Sequence, residues 1–179
     1  MTPLPPTKSR TARETLLIVC EGEAEMAFVR FVKRTYTDDL GRAVQELNAK
    51  GKGGKHVLET GLHRAKYNRA TNKLVLLLDT DKDWDDALRA KARKARVGKH
   101  PVSVIEASPC LEAWLLQILG VNTEGDTGHM KHKFREHTGV EAHKPEWMER
   151  LLNRDVLDKA RTRVSQLADL MNHMGITKR

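Results

Sequence analysis

The chain has 179 residues, 39% of them hydrophobic and 31% charged, a balance that belongs to a folded globular protein and argues against disorder. The longest apolar runs, Leu16–Cys20 and Leu74–Leu78, are far too short to span a bilayer, so no membrane partner is expected. A formal charge of +8 favours a polyanionic partner such as nucleic acid, DNA or RNA, while an aromatic content of 4% argues against extensive base stacking.

Met1–Arg13 carries Pro3, Pro5, Pro6, Lys8, Arg10 and Arg13 and reads as a flexible basic tail. It lacks the apolar centre of a secretory signal, so a cytoplasmic location is expected, with residues 14–179 forming one domain. Leu16–Cys20 reads as a buried strand that stops at Glu21-Gly22. A helix follows from Glu23 to Arg34, with Met26, Phe28, Val29, Phe31 and Val32 turned inward. The spacing of Leu40, Val44 and Leu47 predicts a short helix, followed by a flexible glycine segment at Gly51–Gly54. His56–Thr60 reads as a second strand. Leu62–Ala70 reads as helical or irregular, and basic through His63, Arg64, Lys66 and Arg69.

Leu74–Leu78 is continuously apolar, as expected of a strand covered on both faces in a parallel sheet. It runs into Asp79, Asp81 and Asp83. Residues two apart on a strand share a face, so Asp79 and Asp81 can aim two carboxylates at one point, which suits a hard divalent cation such as Mg²⁺ or Mn²⁺. The competing reading is that one of them caps the next helix, with Asp83 solvated. Trp84–Val97 is predicted helical, ended by Gly98, and Val102–Ile105 is the next strand. Ser108 then caps a helix with Pro109 in its first turn and Leu111, Trp114, Leu115, Ile118 and Leu119 as its apolar face. Beyond the polar Gly120–Gly128 loop, Met130–His137, Pro145–Asn153 and Asp155–Met174 read as helices, making the C-terminal third (about 129–174) helical. The last of them, apolar and Met-containing, offers a surface for a homodimer. Strands alternating with helices imply an α/β fold with a mainly parallel sheet flanked by helices.

The carboxyl ends of parallel strands share one edge, so Glu21 can join Asp79 and Asp81 there and hold one or two metal ions. Glu23 and Glu25 begin a helix, as does Glu112, and the helix dipole accounts for acids at such positions equally well. The basic run Arg89–His100, with Arg89, Lys91, Arg93, Lys94, Arg96 and Lys99, is either a solvated helix face or, with Arg64, Lys66 and Arg69, a track for a phosphate backbone. Cys20 and Cys110 have no CxxC partner and are expected reduced and buried. Gly51–Lys55 lacks the ending of a P-loop, and His129, His132 and His137 do not make a zinc site.

The stretches IVCEGEAE, LLLDTDKDW and SPCLEAWLL together resemble the RloB-like family, TOPRIM-related proteins encoded beside prokaryotic restriction and anti-phage systems. A strand ending in Glu-Gly followed by one ending in Asp-x-Asp is also the TOPRIM signature. The resemblance spans roughly Thr15–Leu119. It implies a TOPRIM-like sheet, Glu21 as proton-transfer group or metal ligand, Asp79 and Asp81 as Mg²⁺ ligands, and Glu112 as the acid of a third motif. EGEAE lacks the family's usual Thr-Glu spacing, and Leu111 stands where an aromatic is usual. The activity implied is Mg²⁺-dependent hydrolysis of nucleic-acid phosphodiesters, alongside other proteins of a defence locus. The alternative is a non-catalytic nucleic-acid-binding or regulatory subunit that keeps the fold. A topoisomerase would need a tyrosine in a separate domain, which neither Tyr36 nor Tyr67 suggests.

Overall fold

Four parallel strands make the central sheet in the order β2-β1-β3-β6: Thr15–Cys20 (β1), Ala43–Asn48 (β2), Lys73–Asp79 (β3) and Ser103–Ala107 (β6). The computed structural model describes residues 14–80 and 83–177. The expected basic tail and Asp81 lie outside the described residues. Alternation along the strands sends Leu16, Ile18, Cys20, Val75 and Leu77 into one helical layer. Leu17, Val19, Leu74, Leu76 and Leu78 enter the other. Cover on both faces explains why these strands read as unbroken apolar runs.

The first layer contains α1 (Glu23–Thr35), α4 (Leu111–Ile118), α5 (Thr127–Thr138), α6 (Glu146–Leu151), α7 (Arg154–Ala160) and α8 (Ser165–Met174). Edge-to-face pairs, Phe28 on Trp114 at 5.2 Å and Phe134 on Trp147 at 5.0 Å, tie it together. The second layer is α2 (Gly53–Tyr67) and α3 (Asp86–Lys94), with a short hairpin of β4 (Arg96–Val97) and β5 (His100–Pro101). No helix is long and apolar enough to cross a membrane, among the described residues.

Several expectations are corrected. Leu40, Val44 and Leu47 do not make a helix, because Val44 and Leu47 belong to edge strand β2. His56–Thr60 is not a strand but part of α2, whose buried Val57, Leu58, Gly61 and Ala65 recur at helical spacing. The glycine segment feeds directly into that helix. A Cβ on Gly54 would sit 2.6 Å from the Trp84 ring, so a residue without a side chain lets α2 start close against Trp84. The helix predicted to reach Val97 stops at Lys94, and Gly98 turns the hairpin instead of ending a helix. Strand β6 runs later than expected, and the helix after it begins at Leu111 without a serine cap. The single long last helix is two, α7 and α8, broken near Arg161–Val164.

The C-terminal helix is fastened to the sheet edge. Gly175, at φ +77°, ends α8 in the left-handed conformation, and a Cβ there would meet Gly41 Cα at 2.8 Å. Arg42 donates to the carbonyls of Asn172 and His173 at 3.0 and 2.8 Å, satisfying the open end of that helix.

Candidate functional site

In the order β2-β1-β3-β6, the connection from β1 leads to one side and the connection from β3 to the other. Such a reversal leaves a crevice beyond the strand ends, and ligands of open α/β sheets bind there. Glu21 follows β1 and Asp79 ends β3, so both stand at the β1/β3 reversal. The Glu21 N–H donates to Leu77 O at 3.0 Å, extending the ladder, and the Asp79 N–H donates to Glu21 Oε2 at 3.0 Å.

Asp79 has the alternation parity of Val75 and Leu77 and therefore faces the α1/α4 layer. Its Oδ1 accepts from the Leu111 N–H at 2.8 Å, so it satisfies the first turn of α4 from a neighbouring strand. The helix-capping reading is thus half right and misplaced: the helix that follows is capped by Asp85, which accepts from the Leu88 N–H. Strand β3 ends at Asp79, so the shared-face argument extends no further than that residue, and Asp81 lies outside the described residues.

Glu25 is 6% exposed and accepts from the Gly22 N–H at 2.9 Å, the reciprocal bond that opens α1. Glu21, Glu25, Asp79 and Glu112 line one cavity of about 260 Å³, with Gly22, Glu23, Gly51, Leu111, Lys131 and His143. Burial pushes the Asp79 carboxyl up to about 8, helped by the charges of Glu25, Glu21 and Glu112 and opposed by the Leu111 N–H. Burial likewise pushes Glu25 up to about 7, with Glu21 and Glu112 adding repulsion and backbone N–H groups opposing. Beside them the Cys110 thiol is raised to about 12, first by burial, so it is no nucleophile at neutral pH. Cys20 is also free and buried, as expected.

The crowded carboxylates favour a cation or a proton among them. The donors are all hard oxygens, the chemistry Mg²⁺ or Mn²⁺ takes. Among the described residues no three His, Cys, Asp or Glu side chains form a metal-holding group. Glu21 and Asp79 are the two such donors that the sheet itself joins.

Of the nominated residues, Glu21, Asp79 and Glu112 are brought together. The six basic ones are not. Arg64 and Lys66 lie on α2, Arg89, Arg93 and Lys94 on α3, and Arg96 on β4, all in the second layer, and none lines the carboxylate cavity. Arg89 is spent internally: with the Trp84 indole N–H it donates to Glu106 Oε1, at 2.9 and 2.6 Å. Asp83 is exposed, as expected, with its carboxylate close enough to Gly53 that a Cβ there would lie 2.7 Å from its Oδ2. The cations that do reach the site, Lys131 on α5 and His143 after it, were not among the nominated residues. Their only local signal was the pairing of Lys131 with Arg135, one helical turn apart beside inward Phe134.

No family model matches this chain, and no curated protein or solved structure matches it either.

Proposed function

We propose that the protein is a Mg²⁺-dependent phosphodiesterase acting on nucleic acid, of the TOPRIM type, in a prokaryotic anti-phage or restriction-associated setting. The observation that carries the reading is the Glu21–Asp79 junction at the β1/β3 reversal, with Glu112 beside it.

Asp79 and Asp81, with Glu21, would hold the ion, which would neutralise the scissile phosphate and the oxygen developing charge beside it. The chain's own residues prepare that place. The Leu111 N–H fixes one Asp79 oxygen, and the Asp79 N–H fixes one Glu21 oxygen, so both carboxylates are oriented before substrate arrives. If Glu21 is not spent on the ion, it would take a proton from water or return one to the leaving oxygen. Burial against α1 and α4 dries one side of the site and strengthens every charge interaction within it.

A second reading has its own support: both fixed oxygens also serve the backbone, as they would in a non-catalytic binding or regulatory subunit. Plasmid DNA, single-stranded DNA and RNA incubated with Mg²⁺ or Mn²⁺ separate the two. Cleavage that disappears in Asp79→Ala and Glu21→Gln is expected. Retained binding with no cleavage under either ion would replace the enzyme reading with the second.

A further inference from the structure

The carboxylate cavity does not end at Glu112. A second cavity, of about 280 Å³, adjoins it and shares Ala24, Glu112, Lys131 and His143. It runs on over Phe134, Arg135, Glu141 and Ala142, so the two form one groove, acidic at the strand ends and cationic along α5.

Lys131 and Arg135 are four residues apart on α5 and share a face. Met130 and Phe134, on the adjoining face, are fully buried and fix the helix rotation that presents the two cations to the groove. Several other cations are paired: Arg30 and Lys33 with Glu46, Arg42 and Lys73 with Glu14, Arg89 with Glu106. Lys131 Nζ and the Arg135 guanidinium make no ion pair or hydrogen bond among the described residues, although Glu112 and Glu141 line the same cavity. His143 Nδ1 lies 3.5 Å from Glu141 Oε2, which keeps its ring at the groove wall. Unpaired cations lining the same groove as an acidic floor suit a ligand that carries its own negative charge and brings it past that floor.

We infer that Lys131, Arg135 and His143 are the phosphate-holding side of the site. They seat the backbone of a nucleic-acid strand so that one phosphodiester lies over Glu21, Asp79 and Glu112. The inference rests on the phosphodiesterase reading for what happens to that phosphodiester, but not for the binding itself. It also moves the nucleic-acid face from α2 and α3 to the opposite layer.

The test measures binding of a fluorescein-labelled single-stranded DNA, the matching RNA and the DNA duplex, in Ca²⁺, over a series of KCl concentrations. Lys131→Gln/Arg135→Gln is compared with wild type and with Lys99→Gln/Lys159→Gln, which removes the same charge from exposed sites on the hairpin and α7. The groove variant is expected to bind at least one probe about tenfold more weakly. Its log–log salt slope should fall by about 1.4–1.8, the loss of two phosphate contacts. The control pair should change the slope by much less. Since all four side chains are exposed, both variants are expected to melt with the wild type.

Wild type that binds none of the probes, or equal losses in groove and control variants, would overturn the inference. So would cleavage by the groove variant with unchanged Kd, salt slope and KM, and in that case the phosphodiesterase reading survives alone. Selective loss of binding in the groove variant, with a wild type that cuts nothing, leaves this inference standing and removes the other.

Discussion

Asp79 and Glu21 are fastened to each other across neighbouring strands: the Asp79 N–H donates to Glu21 Oε2 at 3.0 Å, while Asp79 Oδ1 accepts from Leu111. Three elements, β1, β3 and α4, therefore set the position of one pair of acids. A divalent ion bound there should stabilise the folded chain. At ten times its Kd the expected gain is about 1.4 kcal/mol, a few degrees in Tm for a domain of this size. Thermal melts at pH 8 with Mg²⁺ and Mn²⁺ should show the shift in wild type and lose it in Asp79→Asn. A shift retained by that variant places the ion elsewhere.

Stability should also fall as pH rises. Asp79 is held up to about 8 and Glu25 up to about 7, both chiefly by burial. The folded chain then binds more protons than the unfolded chain above the ordinary carboxylate range. The slope of stability against pH is negative there. The contribution is complete below about pH 4, near unfolded carboxylate values, and is lost as pH passes through 7 to 8. Glu25→Gln and Asp79→Asn keep an acceptor for their backbone partners and remove the charge. Urea melts without metal should show each variant more stable than wild type by on the order of 1–3 kcal/mol at pH 8, and little different at pH 4.5. A wild-type profile that rises across this range contradicts the crowded-carboxylate picture.

Glu106→Ala should destabilise the second layer. It leaves the Trp84 indole N–H without its acceptor in a nearly closed environment, a loss of about 1–3 kcal/mol. Arg89→Gln should likewise lower stability, because Arg89 is occupied by Glu106 and Asp86. Its effect on the salt slope of nucleic-acid binding should be small. Denaturant melts and binding titrations on the same two proteins check both statements.

Gly175→Ala should cost about 1–3 kcal/mol, since it combines a positive φ with backbone contact to Gly41. Arg42→Ala should act in the same direction by uncovering two carbonyls at the end of α8. Hydrogen exchange should localise both effects to α8 and the loop before β2. Uniform exchange changes over the whole sheet would argue against this fastening.

The legible parts of the chain were those where one local period dominates. Leu16–Cys20 and Leu74–Leu78 lie near the middle of the sheet and are apolar throughout, and α1 has a clean inward stripe. The strand-end position of Glu21 and Asp79 followed from those elements alone. β2 was misread because an edge strand is only partly covered, and Leu40, Val44 and Leu47 fall by chance at helical spacing. In α2, the β-branched look of His56–Thr60 hid a helical repeat that continues to Ala65. Lys131, Arg135 and His143 carry little more than the Lys131/Arg135 spacing in the sequence, for a different reason. Their meaning depends on α5 folding back beside α4, a contact with no local trace.

The groove is assembled from widely separated parts of the chain. The carboxylates at the strand ends, Glu21, Glu23, Glu25, Asp79 and Glu112, are all present once α4 has been made, whereas Glu141 and the cations arrive with α5 and the segment after it. A nascent or nicked chain lacking the C-terminal helices would carry the acids without the groups that draw a phosphate toward them. The cationic side of the groove is therefore the last part of it to be made, and the acidic side alone does not define the surface offered to a phosphate.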